Sequence, residues 1–300
     1  LPGVGEAPAP HAARDHPGPH APAAAGEVRL AWVGRDRATG RPELAGEAAG
    51  TLEPFLRALG SRPAGWLKLQ ATGPVTLTLE LDAGGRPAFA VPSARGPLAL
   101  GYAARIRSVV TRVREALPTW KVLLVLDEPS LARREVAERP GLAVDLWRSL
   151  GATGADVTGL HCCATPPWGL ILDLDPQLVS FDAIRDGDAA TDDPAFRRLV
   201  ESGSAVAWGL VPATGPDGGG APRPGAGEGQ DPDALDPEAL ADRLLDLVEW
   251  TAGDYLPEVL ARSLVTPTCG LASLSAEEAT RRLALAAAVG PCAWEFADLP

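Results

Sequence analysis

Short apolar runs, each closed by turn residues, alternate along this chain with longer stretches of helical periodicity. The runs are V-R-L-A-W-V at 28–33, W-L-K-L-Q-A-T at 66–72, V-L-L-V-L-D at 122–127 and V-T-G-L-H-C-C at 157–163. L-V-S-F-D at 178–182, A-V-A-W-G-L-V at 205–211 and S-L-V-T-P-T-C at 263–269 continue the series. Between them lie amphipathic segments such as A-A-R-I-R-S-V-V-T-R-V-R-E-A-L at 103–117 and P-E-A-L-A-D-R-L-L-D-L-V-E-W at 237–250. Near-continuous apolar strands joined by helices predict a parallel sheet with helical crossovers, an α/β fold. With L-P-G-V-G at the start as a clipped further strand, the pattern predicts one closed (β/α)8 TIM barrel spanning 1–300; a doubly wound open sheet is the alternative. Two Pro/Gly-rich segments, 6–26 and 213–233, interrupt the pattern and read as flexible loops.

Composition narrows the function. A chain of 300 residues, 46% hydrophobic, has ample material for a large core. Its net charge of −12 argues against nucleic acid and against an anionic membrane surface, both of which call for a basic footprint. No apolar run reaches the ~18 residues of a membrane span, and no signal-peptide pattern is visible. The absence of methionine implies that Leu1 is not a translation start. Four cysteines make a poor disulfide framework, and with no export signal the expected compartment is a reducing cytoplasm. Neither G-x-G-x-x-G after a strand nor G-x-x-x-x-G-K-[ST] occurs, so nucleotide binding has no support.

The chemistry gathers where the apolar runs end: D-E-P-S at 127–130, H-C-C at 161–163, F-D at 181–182 and P-T-C-G at 267–270. In parallel α/β folds ligands bind at the carboxyl ends of strands. Alternation along a strand places His161 and Cys163 on one face and Cys162 on the other, where it packs as a small hydrophobe. Cys269, ending the last run, offers a second thiolate, and Asp182 an oxygen. One histidine, two cysteines and a carboxylate suit Zn2+ best. Without tight C-x-x-C pairs, a metal site and ordinary buried thiols both fit these residues. Cys292 reads as a packing residue, and Trp168 and Trp208 as core or pocket lining. Lys68 receives no role.

Taken together, T-G-P-V-T (72–76), L-D-E-P-S-L (126–131), H-C-C (161–163), S-F-D (180–182) and T-P-T-C-G-L (266–271) resemble the catalytic domain of cobalamin-independent methionine synthase. The likeness is closest to the short single-domain bacterial relatives in the uroporphyrinogen decarboxylase/methionine synthase superfamily, and it covers about residues 66–275. The resemblance implies a zinc-containing (β/α)8 barrel that transfers a methyl group to a thiol, homocysteine giving methionine. It implies His161, Cys163 and Cys269 as zinc ligands, with Asp182 where the family has a glutamate ligand. It places Asp127 on the substrate amino group, with Glu128 beside it. Glu6, in V-G-E-A-P, falls where the family has a substrate-binding serine. Asp127 and Asp182 are thus the expected catalytic residues, and Glu6, Asp127 and Glu128 the expected substrate contacts.

The departures bear on the donor. No H-G-E segment is found, and the tryptophan that folate-using members place after T-G-P-V-T is missing. The expected methyl donor is either 5-methyltetrahydrofolate or a methylated corrinoid protein. A second reading keeps the metal without the reaction: a zinc-binding barrel that has lost methionine synthesis and serves as a metal- or small-ligand-binding protein.

Overall fold

The computed structural model describes residues 34–35, 42–43, 47–213, 236–252 and 255–297. Two two-residue strands, β1 (Gly34–Arg35) and β2 (Pro42–Glu43), pair antiparallel with each other. Then follow β3 (Trp66–Thr72), β4 (Lys121–Asp127), β5 (Val157–Cys162), β6 (Leu178–Phe181), β7 (Ala205–Val211) and β8 (Ser263–Pro267). The helices are α1 (Glu47–Gly60), α2 (Pro74–Glu80), α3 (Pro92–Ala116), α4 (Arg134–Ala137), α5 (Pro140–Arg148) and α6 (Trp168–Leu174). Beyond them come α7 (Ala183–Asp192), α8 (Pro194–Glu201), α9 (Pro237–Ala252), α10 (Leu256–Ala261) and α11 (Ala276–Phe296). Among the described residues no helix is long and apolar enough to cross a membrane.

Strands β3 to β8 form one all-parallel sheet in sequence order, a half-barrel within a single α/β domain. This corrects the closed eight-stranded barrel expected from the run count. Among the described residues β3 and β8 are edges and do not pair with each other. The two short strands nearest the expected first strands pair with one another instead of extending the parallel ladder. The runs at L-P-G-V-G and 28–33, and the segments 6–26 and 214–233, lie outside the described residues. Strand order also excludes the doubly wound alternative, which requires a reversal of winding.

Alternation explains the layering. Leu67, Val122, Leu124, Leu126, Leu160, Cys162, Val179, Phe181, Val206, Trp208 and Leu210 share the outer face and join the main core with the helices. Leu123, Val125, Leu178 and Ala207 form a separate cluster on the inner face. β4 is thus buried on both sides from Val122 to Leu126, which is why it reads as an unbroken apolar run. Trp168, Phe181, Phe196 and Trp208 form a block of edge-on and tilted rings, with centroid separations of 4.6 to 5.8 Å. The two tryptophans considered as pocket lining are therefore core, with Trp168 and Trp208 both buried. Their packing locks α6 and α8 beneath the ends of β6 and β7.

At Gly209 the β7–β8 register shifts. A Cβ there would lie 2.5 Å from the Phe181 carbonyl oxygen and 3.0 Å from the Thr268 Cα, so only glycine lets the three strand ends close up.

Candidate metal centre

Parallel register builds the first row of the site. Thr72 pairs with Asp127, Asp127 with His161, and His161 with Ser180, so four strands deliver side chains to one level of the inner face. The level lies at the carboxyl ends of these strands, where helix and loop entries leave room for chemistry.

His161 is the buried anchor. Its Nδ1 lies 3.0 Å from the Ser180 Oγ, while its Nε2 is buried and has no hydrogen-bond partner among the described residues. An unsatisfied buried polar atom costs about 1–3 kcal/mol, which a bound cation would remove. Burial pulls the imidazole below its usual pKa; Asp127 opposes this and Lys68 reinforces it. The neutral ring that results is the ligating form, and a Nδ1–H donated to Ser180 leaves the Nε2 lone pair for a metal.

Cys163 follows one step past β5, on the same side as His161. Its carbonyl accepts from the Arg185 Nη2 at 3.1 Å, and Arg185 is itself held by Asp186 at 2.5 Å, which fixes the chain beyond the strand. Burial, then Cys269 and Asp127, push the Cys163 thiol upward. Cys269 arrives from the loop after β8. Its neighbour Thr268 is buried, donates its N–H to the Val211 carbonyl at 2.8 Å, and accepts from the Ala213 N–H through its Oγ1 at 3.1 Å. The loop is thereby pinned while the Cys269 side chain stays exposed.

The donor atoms of His161, Cys163 and Cys269 all lie within 4.8 Å of one another, a possible metal-binding group. Tetrahedral zinc with bonds of about 2.0–2.3 Å needs donors about 3.3–3.8 Å apart, within reach of small side-chain rotations. Two sulfurs and an imidazole nitrogen on two segments of chain form a soft set, and three protein ligands are the number that catalytic zinc sites use.

The other expected site residues divide. Asp182 is buried at the strand end but stands outside the three-donor group; its Oδ1 accepts the Arg185 N–H at 3.1 Å as the N-cap of α7. Helix capping engages the carboxylate that the sequence reading offered as fourth ligand. Asp127 does face the site, where Gln70 Nε2 donates to its Oδ1 at 2.7 Å and leaves the second oxygen for a ligand. Glu128, one residue on, turns to the opposite face. It is fully buried, and its two oxygens accept the N–H groups of Val75 at 2.9 Å and Thr76 at 2.7 Å. Its work is to hold the start of α2, away from the metal group. Glu6 lies outside the described residues. Cys162 is buried on the outer face, where burial pushes its thiol up to about 12, so it serves packing. Cys292 packs against the main core, as expected.

Ser180, Gln70 and Arg185 escaped the sequence reading. Ser180 carries the clearest signal in retrospect: it shares parity with His161 one parallel strand over. Replacing Ser180 with alanine removes the group that orients the imidazole. Metal affinity is expected to fall roughly 10–100-fold, the usual cost of losing such a partner, as measured by chelator competition. Unchanged affinity would show that Ser180 does not orient the ring.

No protein-family model matches the chain, and no curated protein matches it either.

Proposed function

We propose that the protein is a zinc-dependent methyltransferase with a thiol acceptor, of the cobalamin-independent methionine synthase type. The observation that carries this reading is the convergence of His161, Cys163 and Cys269 on one point beside the half-engaged carboxylate of Asp127. The buried Nε2 of His161, without a partner among the described residues, supports a metal there, and the softness of the donors favours zinc.

When bound, zinc would supply a coordination position at which an incoming thiol gives up its proton at neutral pH and remains nucleophilic. The chain contributes the rest. Cys163 and Cys269 make the donor set electron-rich. Asp127, steadied by Gln70, presents a carboxylate to an ammonium group on the acceptor and so aims its sulfur. Ser180 holds the imidazole, and the α7 cap at Asp182 fixes the turn that follows β6. Orientation of acceptor and methyl donor would then provide most of the rate enhancement.

The test is direct. Purified protein carrying stoichiometric zinc is incubated with homocysteine and either methylcobalamin or 5-methyltetrahydrofolate. Methionine formation is expected with one of the donors and is expected to vanish in Cys163→Ser. Zinc retention with no turnover on either donor would favour a metal-binding protein without the reaction.

A further inference from the structure

The β5–β6 ladder ends at Cys162 and Phe181, so Cys163 stands one residue beyond the last pair of that ladder. A ligand placed there needs another hold, and the first turn of α7 provides it. Asp182, at the end of β6, accepts the Arg185 N–H at 3.1 Å and so fixes that residue's backbone. The Arg185 side chain reaches back to the neighbouring loop, where its Nη2 donates to the Cys163 carbonyl at 3.1 Å. The guanidinium is itself aimed by Asp186, a buried carboxylate whose Oδ2 accepts from the Arg185 Nε at 3.0 Å and from its Nη2 at 2.5 Å. The other oxygen of Asp186 accepts from the Thr165 hydroxyl at 3.4 Å, two residues past Cys163. Adjacent residues of one helix thus grip the same loop at two points. A planar guanidinium can serve Asp186 and the carbonyl at once, whereas a lysine ammonium is a point charge on a flexible stem.

We infer that Arg185, aimed by Asp186, is a positioning residue of the metal centre: it sets the Cys163 main chain and, through it, the direction of the thiolate toward the point shared with His161 and Cys269. This rests on the metal-centre reading above and on neither the acceptor nor the methyl donor. A bond at the carbonyl restrains the torsion beside the Cys163 Cα, which decides where the Cβ and sulfur point. An ion pair that served α7 alone would have no need of the Cys163 carbonyl or the Thr165 hydroxyl. Arg243 of α9 and Asp188 of α7, 2.7 Å apart with Asp188 largely exposed, form a pair of that plainer kind.

The experiment titrates the full chain with Co2+, whose charge-transfer absorption reports bound thiolates. Arg185→Met is expected to bind cobalt about 10–100-fold more weakly than the native protein, as measured by chelator competition. At saturating cobalt, its thiolate absorption per ion should fall toward the value for one thiolate instead of two. Arg185→Met leaves the buried Asp186 carboxylate without its cation, which can itself unfold the chain. The double variant Arg185→Met/Asp186→Asn removes that charge as well, and the same two losses are expected in it. Arg243→Met, which breaks the other pair on α7, should keep native affinity and a native spectrum. Native affinity in either Arg185 variant would overturn the assignment while leaving the metal reading intact. So would weaker binding with an unchanged spectrum, or an equal loss in Arg243→Met, since both mark a general effect on stability. Native protein that gives no thiolate absorption with cobalt would overturn the metal reading and this assignment together.

Discussion

Cys269→Ser is expected to emerge from purification essentially free of zinc, while the native protein carries close to one ion per chain. Cys269 is exposed on its loop, and the loop is held by Thr268 instead, whose backbone and hydroxyl bonds to Val211 and Ala213 do not involve the cysteine side chain. The substitution therefore removes a thiolate and leaves the fold. Serine does not substitute as a ligand, because its hydroxyl remains protonated at neutral pH and is a poor match for a borderline-soft ion. His161 and Cys163 alone would leave a two-donor site. The expected loss of affinity exceeds the ~100-fold that outer-shell changes produce. Metal analysis by mass spectrometry, together with competition against a chromogenic chelator, measures it. Cys292→Ser is the control and should keep its zinc, since Cys292 packs against the main core and is not one of the three donors. Stoichiometric zinc in Cys269→Ser, with an unaltered melting curve, would remove Cys269 from the site.

Much of this architecture could be read from the residues, and the reason is local. The runs at 66–72, 122–127, 157–163, 178–182, 205–211 and 263–269 coincide with β3 to β8 to within two residues, because parallel strands buried by helices have little polar punctuation inside them. Strand alternation likewise separates Cys162 from His161 and Cys163, and the placement of Cys162 in the main core agrees. Closure was not legible. Counting apolar runs cannot tell a strand that joins the sheet from one that does not, and among the described residues β1 and β2 pair only with each other.

The site shows the same division. Position at a strand end told which residues gather, whereas the partner of each carboxylate depends on helix starts that periodicity does not reveal. Asp182 is drawn to the first turn of α7 and Glu128 to the first turn of α2. For Glu128 the information was present, since a residue next to the inward-facing Asp127 must point outward. Resemblance to a motif obscured what alternation already implied.

That outward turn makes Gly73 a residue whose replacement should harm the fold severely. Gly73 has φ −74° and ψ 162°, angles open to any amino acid, so backbone strain plays no part. Its role is steric: a Cβ would sit 2.3 Å from both the Cδ and an oxygen of the Glu128 side chain. Glu128 has no room to yield, being fully buried and committed to the N–H groups of Val75 and Thr76. Gly73→Ala must therefore expel the carboxylate, leaving two buried donors unpaired, or shift α2 away from β4. Either route is expected to cost about 2–5 kcal/mol, read from chemical denaturation at constant m-value. The pH profile identifies the group responsible. Burial pushes the Glu128 carboxyl up to about 7, against the pull of the Thr76 side chain and of its two N–H partners. In the unfolded chain the same carboxyl titrates near ~4.3. Between these values the folded state binds more protons, so the stabilisation tied to this proton is fully present below the unfolded value and is lost as pH rises through about 7. Zinc-free native protein should thus lose stability over that interval, and Glu128→Leu should lose that portion of the slope while being less stable throughout. A Gly73→Ala protein as stable as the native one would mean that Glu128 does not fill the space beneath α2.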